Sequence, residues 1–252
     1  MVRGIELFRD YFAGHEDQYT IIGGSACDLL MEDAGLVFRA TKDLDVVLIV
    51  EMLDDNFASL FWQFIHDGGY QNQEKSSGKQ QFYRFSNPAD TGFPFVIELF
   101  SRKPDHFLAK ADTACVPIHI SDEVSSLSAI LLDADYYQLL LDGRTKIAGV
   151  PILTAERLIP FKAKAWLDLT EKNESGLHID SGNITKHKND VYRLSYLLNE
   201  EMILELHGEV ARDMKIFLEK ISQVDDSDSP VFKRLKKNDV MRMLMKVYGI
   251  EE

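Results

Sequence analysis

Two acidic residues separated by a single apolar one, Asp43-Leu44-Asp45, run directly into the apolar segment Val46-Val47-Leu48-Ile49-Val50. In an extended strand, side chains at i and i+2 share a face and stand about 7 Å apart, so the segment sets two carboxylates side by side at the head of a buried strand. Carboxylates in that position are costly unless a cation or hydrogen-bond donors compensate them. The pattern therefore asks for a strand with one acidic face, and for divalent cations held between the two acids.

Upstream, Tyr19-Thr20-Ile21-Ile22-Gly23-Gly24-Ser25-Ala26-Cys27-Asp28-Leu29-Leu30 reads as a short apolar strand, a glycine turn and the start of a helix. Ser25 with Asp28 three residues on suits a capping box, with Asp where Glu or Gln is more usual. Glycines let a backbone approach a ligand closely, and the free amides of a first helical turn bind anions, which makes Gly23, Gly24 and Ser25 a candidate phosphate cradle. An ordinary tight strand-to-helix connection has the same composition.

The order continues with Arg39-Ala40-Thr41-Lys42-Asp43-Leu44-Asp45 and, further on, a lone acid in an apolar run, Phe95-Val96-Ile97-Glu98-Leu99-Phe100. This succession resembles the DNA polymerase β-like nucleotidyltransferase superfamily, whose pattern is a Gly-Gly/Ser turn, an Asp-apolar-Asp/Glu pair and a third carboxylate on a neighbouring strand. The Arg39-x-Thr41-x-Asp43-x-Asp45 form resembles its AbiEii-type branch. So do the stretch from Leu158 to Asp168, with Lys162 and Lys164, and the stretch Lys186-His187-Lys188-Asn189-Asp190-Val191-Tyr192-Arg193-Leu194.

The resemblance implies an α+β fold: a small mixed β-sheet nucleotidyltransferase core with flanking helices, plus a mainly helical C-terminal part that closes a cleft. It implies transfer of a nucleoside monophosphate from an NTP to an acceptor hydroxyl on RNA, protein or a small molecule. Asp43, Asp45 and Glu98 would hold two Mg²⁺ (or Mn²⁺) ions, with Gly24 and Ser25 on the β- and γ-phosphates. Lys162 would pair with the triphosphate, while Lys188 and Asp190 would sit at the cleft edge, Asp190 orienting the acceptor or the lysine. Relatives in that branch are often toxins that act on RNA and are paired with an antitoxin. The 19 residues from Gly24 to Asp43 exceed the gap in the minimal antibiotic-modifying members, which speaks against a small aminoglycoside acceptor. Two other readings stay open: a catalytically silent nucleotide-binding or scaffold protein on the same fold, and a metal-dependent phosphohydrolase. The second is disfavoured because the seven histidines are scattered, none close in sequence to the three acids.

Composition bounds the surroundings. The 252 residues, 45% hydrophobic, suffice for a real core in one compact domain or two small ones. No run approaches the roughly 18 apolar residues of a membrane span, and the acids of the first ten residues do not suit a signal peptide, so a cytoplasmic location without membrane contact is expected. Cys27 and Cys115 lack metal-ligand spacing and fit reduced core thiols. The net charge of −13 is concentrated in residues 1–150, with 23 acids against 12 Lys and Arg. That disfavours a broad nucleic-acid footprint on this half. The dense basic stretch is Lys233-Arg234-Leu235-Lys236-Lys237, followed by Arg242 and Lys246 in an expected terminal helix; if RNA docks, it docks there. The alternative is a solvated helix face opposite Val240, Met243, Leu244 and Val247. The same alternative applies to Lys162 and Lys164, opposite an apolar stripe of Leu158, Phe161, Ala165, Trp166 and Leu169.

Periodicity predicts helices at 3–14 and around 61–66, and strands at 43–50, 81–86, 94–100 and 115–120, with 71–80 as a mobile polar hairpin connection. After residue 120 it predicts a helix at 133–141, one strand at 145–153, a helix capped by Thr154, and helices near 183–198, 201–222 and 230–248. The division expected is a core at 1–120 and a helical part at 121–252.

Overall fold

The computed structural model describes residues 2–75, 81–101, 116, 117, 130, 131, 133–226, 231 and 236–250. The chain divides into two compact units, one of Met1–Ser121 with Arg144–Leu153, the other of Asp122–Gly143 with Thr154–Glu252.

The first unit is built on an eight-stranded mixed sheet in the order β6-β3-β4-β5-β2-β1-β8-β7. Its strands are β1 (Tyr19–Ile22), β2 (Asp43–Leu48), β3 (Asn72–Lys75), β4 (Gln81–Ser86), β5 (Val96–Ser101), β6 (Val116–Pro117), β7 (Arg144–Ile147) and β8 (Val150–Leu153). Among the described residues its helices are α1 (Ile5–Tyr11), α2 (Gly23–Asp33) and α3 (Asp55–Asp67). In α3 the apolar residues Phe57, Phe61, Phe64 and Ile65 recur at helical spacing and are buried, and Asp54 caps the helix by accepting from the Phe57 amide. Phe8 and Phe12, on α1 and just beyond it, pack on Phe64 and Phe57, and Phe61 packs edge-on against Phe85 of β4. Burying each of these rings contributes about 1.5–3 kcal/mol.

Register decides which side of the sheet that aromatic layer covers. Leu44, Ile97 and Phe85 are lateral partners on β2, β5 and β4, so all three face α3 with Phe85. The next row, Asp45, Glu98 and Arg84, points the other way. The apolar layer under α1 and α3 thus forces the acidic row onto the opposite face.

Two differences from the sequence reading have clear causes. Residues 72–75, read as part of a polar connection, form β3, antiparallel to β4 and parallel to β6, and residues 76–80 of that connection lie outside the described residues. Residues 145–153, read as one strand of the C-terminal half, form together with Arg144 a hairpin around Ala148 and Gly149, both at positive φ as a two-residue turn requires. The hairpin belongs to the first unit because β8, buried throughout, pairs in parallel with β1 through Ile21 and Ile152.

The second unit is helical: α4 (Ala134–Asp142), α5 (Ala155–Glu174), α6 (Ser181–Leu194), α7 (Gly208–Ser222) and α8 (Lys237–Val247), with a 3₁₀ turn at Ser195–Leu197. α5 is its centre, with Phe161 against Tyr136 and Trp166 against Phe217. Pro160 lies inside α5 and cannot donate to the Glu156 carbonyl four residues back. The buried Tyr248 hydroxyl donates to that carbonyl instead, at 2.7 Å, which keeps the proline tolerable. Thr154 stands at the N-cap of α5, but its hydroxyl donates to the Glu156 carboxylate rather than accepting from the first turn. Residues 201–207 are not helical, so α7 begins later than its apolar pattern suggests. Among the described residues no helix is long and apolar enough to cross a membrane.

Candidate active site

The glycine turn and the acid pair meet because β1 and β2 are antiparallel with Ile22 opposite Asp45. Gly23, the next residue, therefore lies directly beside the Asp45 side chain. A Cβ on Gly23 would stand 1.7 Å from Asp45 Oδ2, and the backbone there has φ +68°, so the position accepts glycine alone. Gly24 is walled by the loop that leads into β2: a Cβ on it would lie 2.7 Å from Thr41 Oγ1 and 3.3 Å from Arg39 Nη2. The segment Arg39 to Asp45 thus wraps the turn, an arrangement that neither motif shows when read alone.

Ser25 departs from its expected role. The helix begins at Gly23 with Ile22 in the N-cap position and no side-chain cap, so Ser25 is already inside the first turn. Its buried hydroxyl donates to the backbone carbonyl of Asp43. That bond ties α2 to the head of β2 and removes Ser25 as a hydroxyl donor to phosphate, while the first-turn amides stay without a side-chain cap. Ser25→Ala should cost about 1 kcal/mol of stability through loss of this bond, read as a shift in the urea midpoint with unchanged slope.

Asp45 and Glu98 are lateral partners, and their carboxyl groups share a hydrogen bond. Glu98 is 7% exposed, and its carboxyl is pushed up to about 9, chiefly by burial and then by the charges of Asp45 and Asp43. Arg84, with Nε 3.6 Å from Glu98 Oε1, pulls the other way without cancelling these effects. The folded chain therefore keeps a proton that the unfolded chain gives up at the ordinary glutamate value. Glu98 supports the fold at low pH and progressively weakens it as pH rises toward 9. The donor chemistry suits a hard dication, being oxygen-only and strained by like charge. Asp43 acts on Glu98 through charge, but among the described residues no three His, Cys, Asp or Glu side chains converge as a bound ion requires.

The remaining expected residues lie in the second unit. Lys162 is buried, with Nζ 3.2 Å from Asp190 Oδ2, so the solvated-face reading fails for it. Asp190 is fully buried and takes Arg193 Nη1 on its other oxygen, also at 3.2 Å. It is therefore inside the helix packing rather than at an open edge. Lys188 pairs with Asp226, whose second oxygen accepts from the Tyr192 hydroxyl at 2.7 Å. Lys164 is half-buried between Asp168 and Asp213. Sequence reading missed Asp226, which sits in a run of acids that looks like a linker, and missed Arg84, whose register with Glu98 only pairing reveals.

The basic stretch is less free than its composition suggests. Residues 233–235 lie outside the described residues, and Lys237 donates to the carbonyls of Ser222 and Val224 at the end of α7. Arg242 faces Asp239 at 3.6 Å and Lys246 faces Glu200 at 2.7 Å. Cys27 is buried, as expected of a core thiol, and Cys115 lies outside the described residues.

No protein-family model matches the chain, and no curated protein matches it. Among solved structures it is similar to an antigenic nucleotidyltransferase-like protein from Paracoccidioides brasiliensis, with TM-score 0.45 and 15% identity over 97% of this chain and 94% of that one. It is also similar to the Megavirus polyadenylate synthase, with TM-score 0.42 and 8% identity over 91% of this chain and 38% of that one.

Proposed function

We propose that the first unit is the donor site of a metal-dependent nucleotidyltransferase, which moves a nucleoside monophosphate from an NTP to an acceptor hydroxyl. One observation carries the reading: Gly23 is pressed against Asp45, itself the lateral partner of Glu98, so turn and acids form one continuous site. The uncapped first turn of α2 offers backbone amides to the phosphates. Asp43, Asp45 and Glu98 would hold Mg²⁺ or Mn²⁺, which supplies charge neutralisation at the phosphates and a lowered pKa for the attacking hydroxyl. The acceptor oxygen forms a bond to the α-phosphorus, the bond to the α,β-bridging oxygen breaks, and pyrophosphate leaves with that electron pair while the hydroxyl proton passes to solvent. The protein's part is to hold the triphosphate against the acids in line for attack.

A catalytically silent nucleotide-binding protein is the second reading, and one observation favours it: the three acids do not converge as they stand. The toxin role, with RNA as acceptor and an antitoxin as partner, stays with the AbiEii-type resemblance. Incubation with each α-labelled NTP, Mg²⁺ or Mn²⁺, and RNA, protein or small-molecule extracts decides between these readings. Label in one extract class identifies the acceptor; NTP binding with no label in any class supports the silent protein.

A further inference from the structure

We infer that Arg84 is the positioning residue of the acid row: its Nε–H takes the Glu98 carboxylate when Glu98 turns from Asp45 toward a divalent ion. The inference rests on the reading of Asp43, Asp45 and Glu98 as a metal site. It also answers the observation that stands against that reading, namely that the three acids do not converge among the described residues. Glu98 lies between two lateral partners, Asp45 on β2 and Arg84 on β4, in one row on the face away from α1 and α3. Its carboxyl is committed to Asp45 through the hydrogen bond they share. Arg84 is left just short of the same group: its Nε stands 3.6 Å from Glu98 Oε1, is itself buried, and makes no hydrogen bond among the described residues. A buried N–H without an acceptor is costly, and Glu98 is the carboxylate that the register sets beside it.

To hold a dication, Asp45 and Glu98 must both turn oxygens to it, and the bond between them is lost. Glu98 is buried, so water is poorly placed to satisfy the oxygen that this releases. Arg84 Nε is a donor already in place, and bonding to it makes a hydrogen bond that the metal-free protein lacks. The same bond fixes the orientation of Glu98, as partners of metal-ligating side chains do. Arg84 therefore acts through Glu98 and is neither an acid nor a base in the transfer.

The sign of its effect separates this role from plain electrostatics. A cation beside the acids repels a metal ion, so removing its charge alone tightens metal binding. Losing a positioning bond weakens it. Methionine and glutamine at position 84 tell the two apart, since both remove the charge. The glutamine Nε2 occupies the same place along the side chain as the arginine Nε and still donates, whereas methionine has a methyl group there.

Titration of the full chain with Mn²⁺, read by the electron paramagnetic resonance signal of the free ion, tests this on wild type, Arg84→Met and Arg84→Gln. Arg84→Met should bind Mn²⁺ about tenfold more weakly or worse, Arg84→Gln should stay within about threefold of wild type, and metal-free thermal unfolding should change little in either. Arg84→Ala carries the same comparison should Arg84→Met fail to fold. Mn²⁺ affinity in Arg84→Met equal to or tighter than wild type overturns the inference and leaves the proposed transfer standing, as does an equal loss in Arg84→Met and Arg84→Gln. The expected pattern without label transfer by the wild type supports the inference and removes the catalytic reading. A wild type that binds no Mn²⁺ overturns both.

Discussion

Asp43→Asn and Asp45→Asn should each abolish the proposed nucleotidyl transfer while the chain stays folded. Each substitution removes one of the charges proposed to hold the divalent ions, and such ions supply several kcal/mol of transition-state stabilisation, so a rate loss of about 10³-fold or more is expected. Folding responds in the opposite sense. Glu98 is held protonated by burial and by the charges of Asp45 and Asp43. Neutralising either aspartate relieves that repulsion, so without metal the urea midpoint at pH 8 should equal or exceed wild type. Divalent ions should raise the melting temperature of wild type and do so much less in either variant. Full transfer activity in Asp43→Asn or Asp45→Asn would remove the proposed chemistry, and a large fall in stability would show that the acids are structural.

The parts of this site that were legible in the sequence are those encoded by local pattern. The alternation of Asp43, Leu44 and Asp45 foretells a strand with one buried and one polar face, and β2 begins at Asp43 with Leu44 buried and both acids partly exposed. A glycine pair between a strand and a helix is equally local, and Gly23 has the positive φ that justifies it. What stayed hidden depends on partners far away in the chain. Ser25 looks like a cap when read with Asp28, but its hydroxyl is claimed by a carbonyl 18 residues on. The hairpin at 144–153 has an apolar strand pattern that fits either half, and only its parallel pairing with β1 assigns it to the first unit. Lys162 and Lys188 look like solvated charges because helical periodicity registers apolar stripes and is blind to buried ion pairs. Both are committed to aspartates, Asp190 and Asp226.

The second large effect concerns that commitment. Asp190→Ala leaves Lys162, with a side chain 6% exposed, and Arg193 without the carboxylate that both face, and it should cost about 3–5 kcal/mol of stability. Asp190→Asn should cost less, since an amide oxygen still accepts from one cation. The double variant Lys162→Met/Asp190→Leu removes both buried charges and keeps apolar volume, so most of the stability should return in urea denaturation. That recovered protein then separates the two roles of Lys162. If the lysine also serves nucleotide binding, as the resemblance of its helix implies, the double variant folds normally yet binds Mg²⁺-NTP more weakly than wild type. If NTP affinity is unchanged while Asp190→Ala alone unfolds the chain, the pair is purely a packing device of the second unit.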